Sequence, residues 1–220
     1  MTGMHDAVAS DLGSALATAL AAHTSQDPDF WDFDGGQGRT GGHAFFQYPA
    51  MMVPELQRTL LEDLKSVDPS ISLVYDPFMG SGTVMLECLR LGLDFYGSDI
   101  NPMAVLLTYV KAHPPASGRA AELVKATVED AKERKSAPRH EFLYRDKWFT
   151  ESVGEGLDRL RASIKSVPDR DDRRFLWVCL AETVRLISNS RTSTVKLHTY
   201  TPEQIKGRAK TDPIRSFGLE

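Results

Sequence analysis

The sequence has little of what a disulfide framework or a structural metal site requires. Its two cysteines, Cys88 and Cys179, lie far apart, and the chain has no Cys-x-x-Cys pair and no paired histidines at ligand spacing. Long apolar runs are also missing, since charges interrupt each one well before the roughly twenty residues that a membrane helix needs. No basic segment leads an apolar one at the amino end. We therefore expect neither disulfides nor zinc, and a soluble protein of the reducing cytoplasm.

An overall positive charge, the usual mark of a nucleic-acid binder, is absent because the net charge is -4. Basic residues are in excess only toward the carboxyl end. Between Arg185 and Arg215 the chain has seven Lys or Arg residues and two acidic residues. Two of them, Arg191 and Lys196, are candidates for contact with phosphate. A partner interface or plain solvation accounts for them equally well.

The length of 220 residues and the 41% hydrophobic content predict one globular domain with extensions. Helix and strand patterns alternate after residue 54, which is typical of a parallel sheet. Gly92 stands where a left-handed helix cap is needed. We predict helices at Asp6–His23 (amphipathic), Pro54–Leu64, Gly82–Leu91 (buried), Asn101–Lys111, Glu122–Lys135 (solvated), Glu151–Lys165 and Arg173–Ile187, strands at Ser72–Tyr75 and Asp94–Ser98, and a loop at Gln26–Gly42.

The most informative segment is Asp76-Pro77-Phe78-Met79-Gly80-Ser81-Gly82-Thr83, between a predicted strand and a predicted helix. Its glycines let the backbone approach a ligand closely, and the N–H groups at a helix start favour an anionic group. An acid, Asp99, ends the next strand twenty-three residues after Asp76. A carboxylate at that position accepts hydrogen bonds from ribose hydroxyls. The combination predicts a pocket for a nucleoside cofactor.

The third glycine of a nicotinamide-binding turn is replaced here by Met85. The pattern instead resembles the S-adenosylmethionine pocket of methyltransferases. Together with Gly97–Leu106, it resembles the enzymes that methylate adenine N6 or cytosine N4 of DNA. Two further stretches, Tyr48–Leu56 and Ser188–His198, are similar to segments of the same family, in the same order.

The resemblance implies an α/β, Rossmann-like methyltransferase fold with an incomplete parallel sheet and helical extensions. It implies S-adenosylmethionine as the cofactor and no metal. Asp99 would hold the ribose and Ile100 would lie against the adenine, while Tyr48 and Pro49 would close the methionine end. The residues that would wrap the methionine and ribose portions are Asp76, Phe78, Gly80, Ser81, Gly82 and Thr83. Alternatively, Phe78 and Ile100 are ordinary core residues, and Tyr48-Pro49 only turns the chain.

The sequence departs from this family at the catalytic tetrapeptide. The family carries Asp, Asn or Ser followed by Pro-Pro and an aromatic residue, which accept the protons of the target amine and stack on the flipped base. His113-Pro114-Pro115-Ala116 has only the prolines, and a helix end explains it better. We therefore expect no catalytic residue in this chain and inactivity alone.

In this family the tetrapeptide follows the strand that pairs beside the first one, here Ser72–Tyr75. That strand and the tetrapeptide would come from a partner subunit or from a longer gene product, and we favour the partner. The complex would act on double-stranded DNA and have no membrane association. The expected divisions are an amino-terminal helix and loop (1–44), a cofactor-binding half-domain (45–200) and a basic tail (201–220). The alternatives are a component of an RNA guanine N2-methyltransferase and a non-catalytic cofactor-binding regulator.

Overall fold

The structure, a computed structural model, describes residues 2–33, 40–49, 51–116, 118–191, 198–208 and 211–218. These residues form two compact units that divide between Ala112 and His113. The division falls inside the segment 45–200 that the sequence analysis treats as one domain. No helix in these ranges is long and apolar enough to cross a membrane.

The first unit places helices beside a two-stranded parallel sheet. In this sheet Leu73 pairs with Asp94 and Asp76 pairs with Gly97. A helix connects the strands, as a parallel pair requires. The predicted fold class, an incomplete Rossmann-like sheet with helical extensions, is confirmed. The elements are α1 (Thr2–Gln26), a 3-10 turn (Gly41–His43), α2 (Pro54–Val67), β1 (Leu73–Asp76), α3 (Thr83–Arg90), β2 (Asp94–Gly97) and α4 (Pro102–Ala112).

One face of the sheet packs against buried residues of this unit and forms part of its core. Val74 and Phe95 lie opposite each other in register and pack against the buried residues Leu61, Cys88 and Leu93. Side chains alternate between the faces of a strand, so the neighbouring residues must point the other way. The core therefore occupies only one side of the sheet.

The other face carries large apolar side chains that remain exposed. Leu73, Tyr75 and Tyr96 are 58%, 57% and 66% exposed. The rings of Tyr75 and Tyr96 lie 5.6 Å apart on the two adjacent strands. We call these three residues the outer sheet face. Parallel sheets are almost always covered on both faces, so this face is suited to burial against another polypeptide surface.

The predicted loop and helix ends around the sheet are largely confirmed. Gly92 adopts a left-handed φ of 67° after α3, as expected of a helix cap. The long first helix is confirmed, and among its described side chains the half-buried Leu12, Leu16 and Leu20 recur every four residues along one face. Residues 27–33 of the predicted loop form turns, and residues 34–39 lie outside the described part of the chain.

The second unit is helical in its described residues. One expectation for it was wrong, because the helix predicted as solvated buries Leu123, Thr127 and Ala131 along one face. That face packs against the following long helices. The elements are α5 (Arg119–Glu133), α6 (Arg145–Trp148), α7 (Glu151–Ser166), α8 (Arg170–Ile187), α9 (Pro202–Arg208) and α10 (Pro213–Ser216).

The carboxyl-terminal residues contribute to this second core. Ile214 and Phe217 are 3% and 2% exposed, and α10 packs against α5, α7 and α8. This part of the predicted tail is therefore not a solvated segment. Phe149 is also buried and packs with Val153 and Ile187, so it is a core residue of this unit.

Both cysteines are free thiols. Burial raises the pKa of Cys88 to about 11 and that of Cys179 to about 12. The two thiols therefore stay protonated at neutral pH, which makes them poor nucleophiles.

Candidate cofactor-binding site

The loop after β1 forms a tight turn, and its two glycines have left-handed backbone conformations. Asp76 Oδ1 accepts the Phe78 N–H at 2.9 Å, and Met79 O accepts the Gly82 N–H at 2.8 Å. Gly80 and Gly82 have φ values of 48° and 73°, which an L side chain rarely adopts. The loop then enters α3 directly, with Gly82 as the residue before the first turn. Glycine is therefore required at these two positions by the backbone itself.

Asp99 joins this loop to the end of the neighbouring strand. Its Oδ2 accepts the Gly80 N–H at 2.9 Å, and its Oδ1 accepts the Asn101 N–H at 2.8 Å. A carboxylate offers about four lone-pair sites, so two remain for further donors. The side chain is only half-buried. Asp99 is thus oriented by the backbone and still able to accept two ribose hydroxyls.

Phe78 and Ile100 follow adjacent strands and are largely exposed. Phe78 is 83% exposed and Ile100 is 99% exposed, so the alternative of ordinary core residues is excluded. Their side chains stand at the carboxyl edge of the sheet, where ligands of open α/β sheets bind. Apolar groups at this edge suit the face of a planar ring such as adenine.

Tyr48 reaches the same loops although it lies far earlier in the chain. Its hydroxyl accepts a hydrogen bond from Asn101 Nδ2 at 3.0 Å. Its ring carbon Cε1 lies 3.6 Å from the position that a Cβ on Gly80 would occupy. The neighbouring Pro49 is exposed. The structure therefore brings Tyr48 to the predicted site, where it does more than turn the chain.

The side chains of Ser81 and Thr83 face the interior. They are 4% and 3% exposed, and their hydroxyl oxygens lie 3.3 Å apart. Any contact that they make with a cofactor must therefore come from their backbone groups. Thr83 is the first residue of α3, where backbone N–H groups lack intrahelical acceptors.

Sequence reasoning missed two polar residues of α4 that hold the loop from behind. Thr108 Oγ1 donates to Gly80 O at 3.2 Å, and Lys111 Nζ donates to Ser81 O at 2.9 Å. Both side chains are buried. The available signal was their spacing of three residues, which places them on one helix face with the buried Leu107.

A buried cluster that includes His43 and Glu87 anchors the segment before Tyr48, and it was also missed. Glu87 of α3 is fully buried, with Oε1 2.7 Å from His43 Nε2 and Oε2 3.3 Å from Arg58 Nε. His43 stands five residues before Tyr48. The cluster therefore fixes the chain that leads to Tyr48 against the helix that follows the glycine loop.

The two nucleic-acid candidates belong to the second unit. Arg191 is exposed, and its N–H donates to His198 O at 2.7 Å. Lys196 lies outside the described residues. No group of three or more His, Cys, Asp or Glu residues that could hold a metal ion occurs where the structure describes the chain.

Comparisons with known proteins match the region of the chain that contains these residues. A sequence model described as DNA methylase, N6_N4_Mtase, matches residues 22–110, which include the whole glycine loop and Asp99. The chain is 33% identical over 174 residues to the type II methyltransferase M.MvaI of Kocuria varians, a match that covers 74% of this chain and 38% of the relative. It is 33% identical over 69 residues to the type II methyltransferase M.MjaII of Methanocaldococcus jannaschii, covering 31% of this chain and 12% of the relative.

No solved structure matches the chain. The chain spans well under half the length of both relatives. The matched region contains the loop, the acid and the exposed apolar residues described above. These matches support a member of the N6/N4 DNA methylase family, with the likeness to both relatives confined to part of their length.

Proposed function

We propose that this chain is the S-adenosylmethionine-binding subunit of a heteromeric DNA methyltransferase that methylates adenine N6 or cytosine N4. The observation that carries the proposal is the contact between Gly80 and Asp99 at the carboxyl edge of β1 and β2. It joins a loop that a ligand can approach closely to a carboxylate with free acceptor sites. This arrangement suits a cofactor with a ribose and a charged amino-acid end.

In this proposal, different residues bind different parts of the cofactor. Asp99 accepts the ribose hydroxyls, Phe78 lies against the methionine and ribose portions, and Ile100 lies against the adenine ring. Tyr48 closes the methionine end, where its ring already lies against Gly80. The bound cofactor supplies a methyl group that its sulfonium activates for transfer to an amine. The protein groups therefore bind and orient, and no metal ligand is needed.

The partner in this proposal supplies what the printed sequence lacks. No Asp, Asn or Ser followed by Pro-Pro and an aromatic residue occurs in it. Such a tetrapeptide accepts the protons of the target amine and stacks on the flipped base. The outer sheet face, with its exposed Leu73, Tyr75 and Tyr96, supports a partner because it is apolar and beside the proposed site.

Labelled-methyl transfer to duplex DNA tests the proposal. The chain, a neighbouring-gene polypeptide that carries the tetrapeptide, and their mixture are assayed separately. We expect turnover only in the mixture, and loss of it when the chain carries Asp99→Ala. Robust turnover by the chain alone would contradict the need for a partner.

Other outcomes point to the alternative functions. Cofactor binding without methyl transfer in any mixture would favour a regulator, and transfer to RNA alone would favour an RNA methyltransferase. Because the chain is acidic overall, we expect it to bind DNA weakly by itself and in a strongly salt-dependent way.

A further inference from the structure

Asn101 lies directly before the first turn of α4 and is held there by backbone groups on both sides. Its carbonyl accepts the Ala104 N–H at 3.0 Å, and its side-chain Oδ1 accepts the Met103 N–H at 3.0 Å. Both contacts are typical of a residue that caps the start of a helix. Its own N–H donates to Asp99 Oδ1 at 2.8 Å. The orientation of the Asn101 side chain is therefore fixed from both ends.

These contacts decide which end of the Asn101 amide faces Tyr48. A backbone N–H can only donate, so the amide atom that meets the Met103 N–H must be the oxygen. The amide nitrogen is then the atom that lies 3.0 Å from the Tyr48 hydroxyl. This nitrogen also can only donate. The Tyr48 oxygen therefore accepts the hydrogen bond, and the hydroxyl proton must point elsewhere.

The proton of the Tyr48 hydroxyl is available to a ligand, because it has no acceptor in the parts of the chain that the structure describes. The side chain is half-buried, and its ring lies beside Gly80. In the proposed function this ring lies at the methionine end of the cofactor. That end carries a carboxylate, which accepts hydrogen bonds, and an ammonium, which can only donate them. A hydroxyl that has to donate therefore favours the carboxylate.

We propose that Asn101 is a positioning residue that fixes the Tyr48 hydroxyl as a hydrogen-bond donor to the carboxylate of the cofactor. The inference rests on the proposed function, because it concerns the binding of S-adenosylmethionine. Asn101 acts through Tyr48, which contacts the cofactor. Asn101 also donates to Asp99, so one residue orients both the group that binds the ribose and the group that binds the methionine end.

Two substitutions test the hydroxyl and its orientation separately. Tyr48→Phe keeps the ring and removes the hydroxyl. Asn101→Asp keeps a helix-capping oxygen but replaces the donating nitrogen by an acceptor, so the Tyr48 proton would turn toward the new carboxylate. The full chain, both single variants and the double variant are titrated by calorimetry with S-adenosylmethionine and with its decarboxylated form, which differs only in the carboxylate.

The two ligands should respond differently to the loss of the hydroxyl. We expect Tyr48→Phe to weaken S-adenosylmethionine about tenfold and the decarboxylated form by less than about twofold, because the lost hydrogen bond is to a charged group. Asn101→Asp also adds a negative charge, which repels the cofactor carboxylate whether or not the hydroxyl is present. The double variant separates these effects. Asn101→Asp should weaken S-adenosylmethionine at least about fivefold more in the wild-type background than in the Tyr48→Phe background.

An equal loss for both ligands in Tyr48→Phe would overturn the proposal, and so would an equal effect of Asn101→Asp in the two backgrounds. If wild-type chain binds neither ligand, the proposed function itself fails. Circular dichroism and thermal unfolding show whether each variant is folded. Should Asn101→Asp not fold, Asn101→Ser, which keeps a capping oxygen without the amide nitrogen, is subject to the same comparison in both backgrounds.

Discussion

At the scale of single residues, Asp99 carries the most specific prediction. Asp99→Ala removes the acceptor of the Gly80 and Asn101 N–H groups and of the two ribose hydroxyls. We expect S-adenosylmethionine binding to weaken by about 2 kcal/mol or more, since charge-assisted hydrogen bonds are lost. Calorimetry measures the change. Asp94→Ala, at an exposed acid of β2, is the matched control, and unchanged affinity in Asp99→Ala would reject the ribose assignment.

Gly82 gives a prediction about stability that does not depend on the cofactor. A Cβ there would lie 3.0 Å from Thr108 Oγ1, on a backbone with φ of 73°. We expect Gly82→Ala to lower the free energy of unfolding by about 1–2 kcal/mol. Gly13→Ala, in a helix with open space around its Cβ, should instead raise it by up to about 1 kcal/mol. Urea unfolding compares them, and equal effects of the same sign would contradict the strained-loop account.

At the scale of elements, the buried cluster of His43, Arg58 and Glu87 connects α3 to the segment before Tyr48. Replacing Glu87 by Ala leaves His43 and Arg58 without their shared carboxylate. Breaking a buried pair costs about 3 kcal/mol in free energy of unfolding. Glu62→Ala, at an exposed acid of α2, should cost far less. A denaturant midpoint for Glu87→Ala equal to that of Glu62→Ala would show that the cluster does not stabilise the unit.

The elements near the sheet could be predicted from sequence because their signals are local. Gly92 follows an apolar helical run, and Pro54 opens an earlier amphipathic one, so each boundary is encoded within a few residues. Glu87 and Lys111 could not be identified in this way. A charged residue in a helix indicates a solvated face unless its buried partners are known, and the partners of Glu87 lie 29 and 44 residues earlier.

The same limit applies to the second unit. The charges of α5 predict a solvated helix, yet Leu123, Thr127 and Ala131 form a buried row. Their spacing of four residues is helical, but only the helices packed against them decide which face is covered. For the site, the order of the motifs predicted the residues after both strands. The hydrogen bond from Asn101 to Tyr48 is a tertiary contact that no local pattern contains.

At the scale of the whole molecule, the outer sheet face is the surface that the proposed partner would cover. Leu73, Tyr75 and Tyr96 present apolar groups on a parallel sheet whose two strands pair only with each other among the described residues. A stable interface buries at least about 1,000 Å², and obligate ones have an apolar centre. We therefore expect the purified chain to self-associate until its partner is added.

Tyr96→Lys tests this surface. Tyr96 is 66% exposed, so the substitution leaves the isolated chain folded, whereas in an assembly it would bury an unpaired ammonium at the interface. We expect binding to the tetrapeptide-carrying partner to weaken at least about a hundredfold, measured by sedimentation, because burying an unpaired charge costs several kcal/mol. Leu89→Lys, at a 50% exposed site on α3, should assemble like wild type. Both variants should still bind S-adenosylmethionine, which separates assembly from cofactor binding. Assembly of Tyr96→Lys with wild-type affinity would place the partner on another surface.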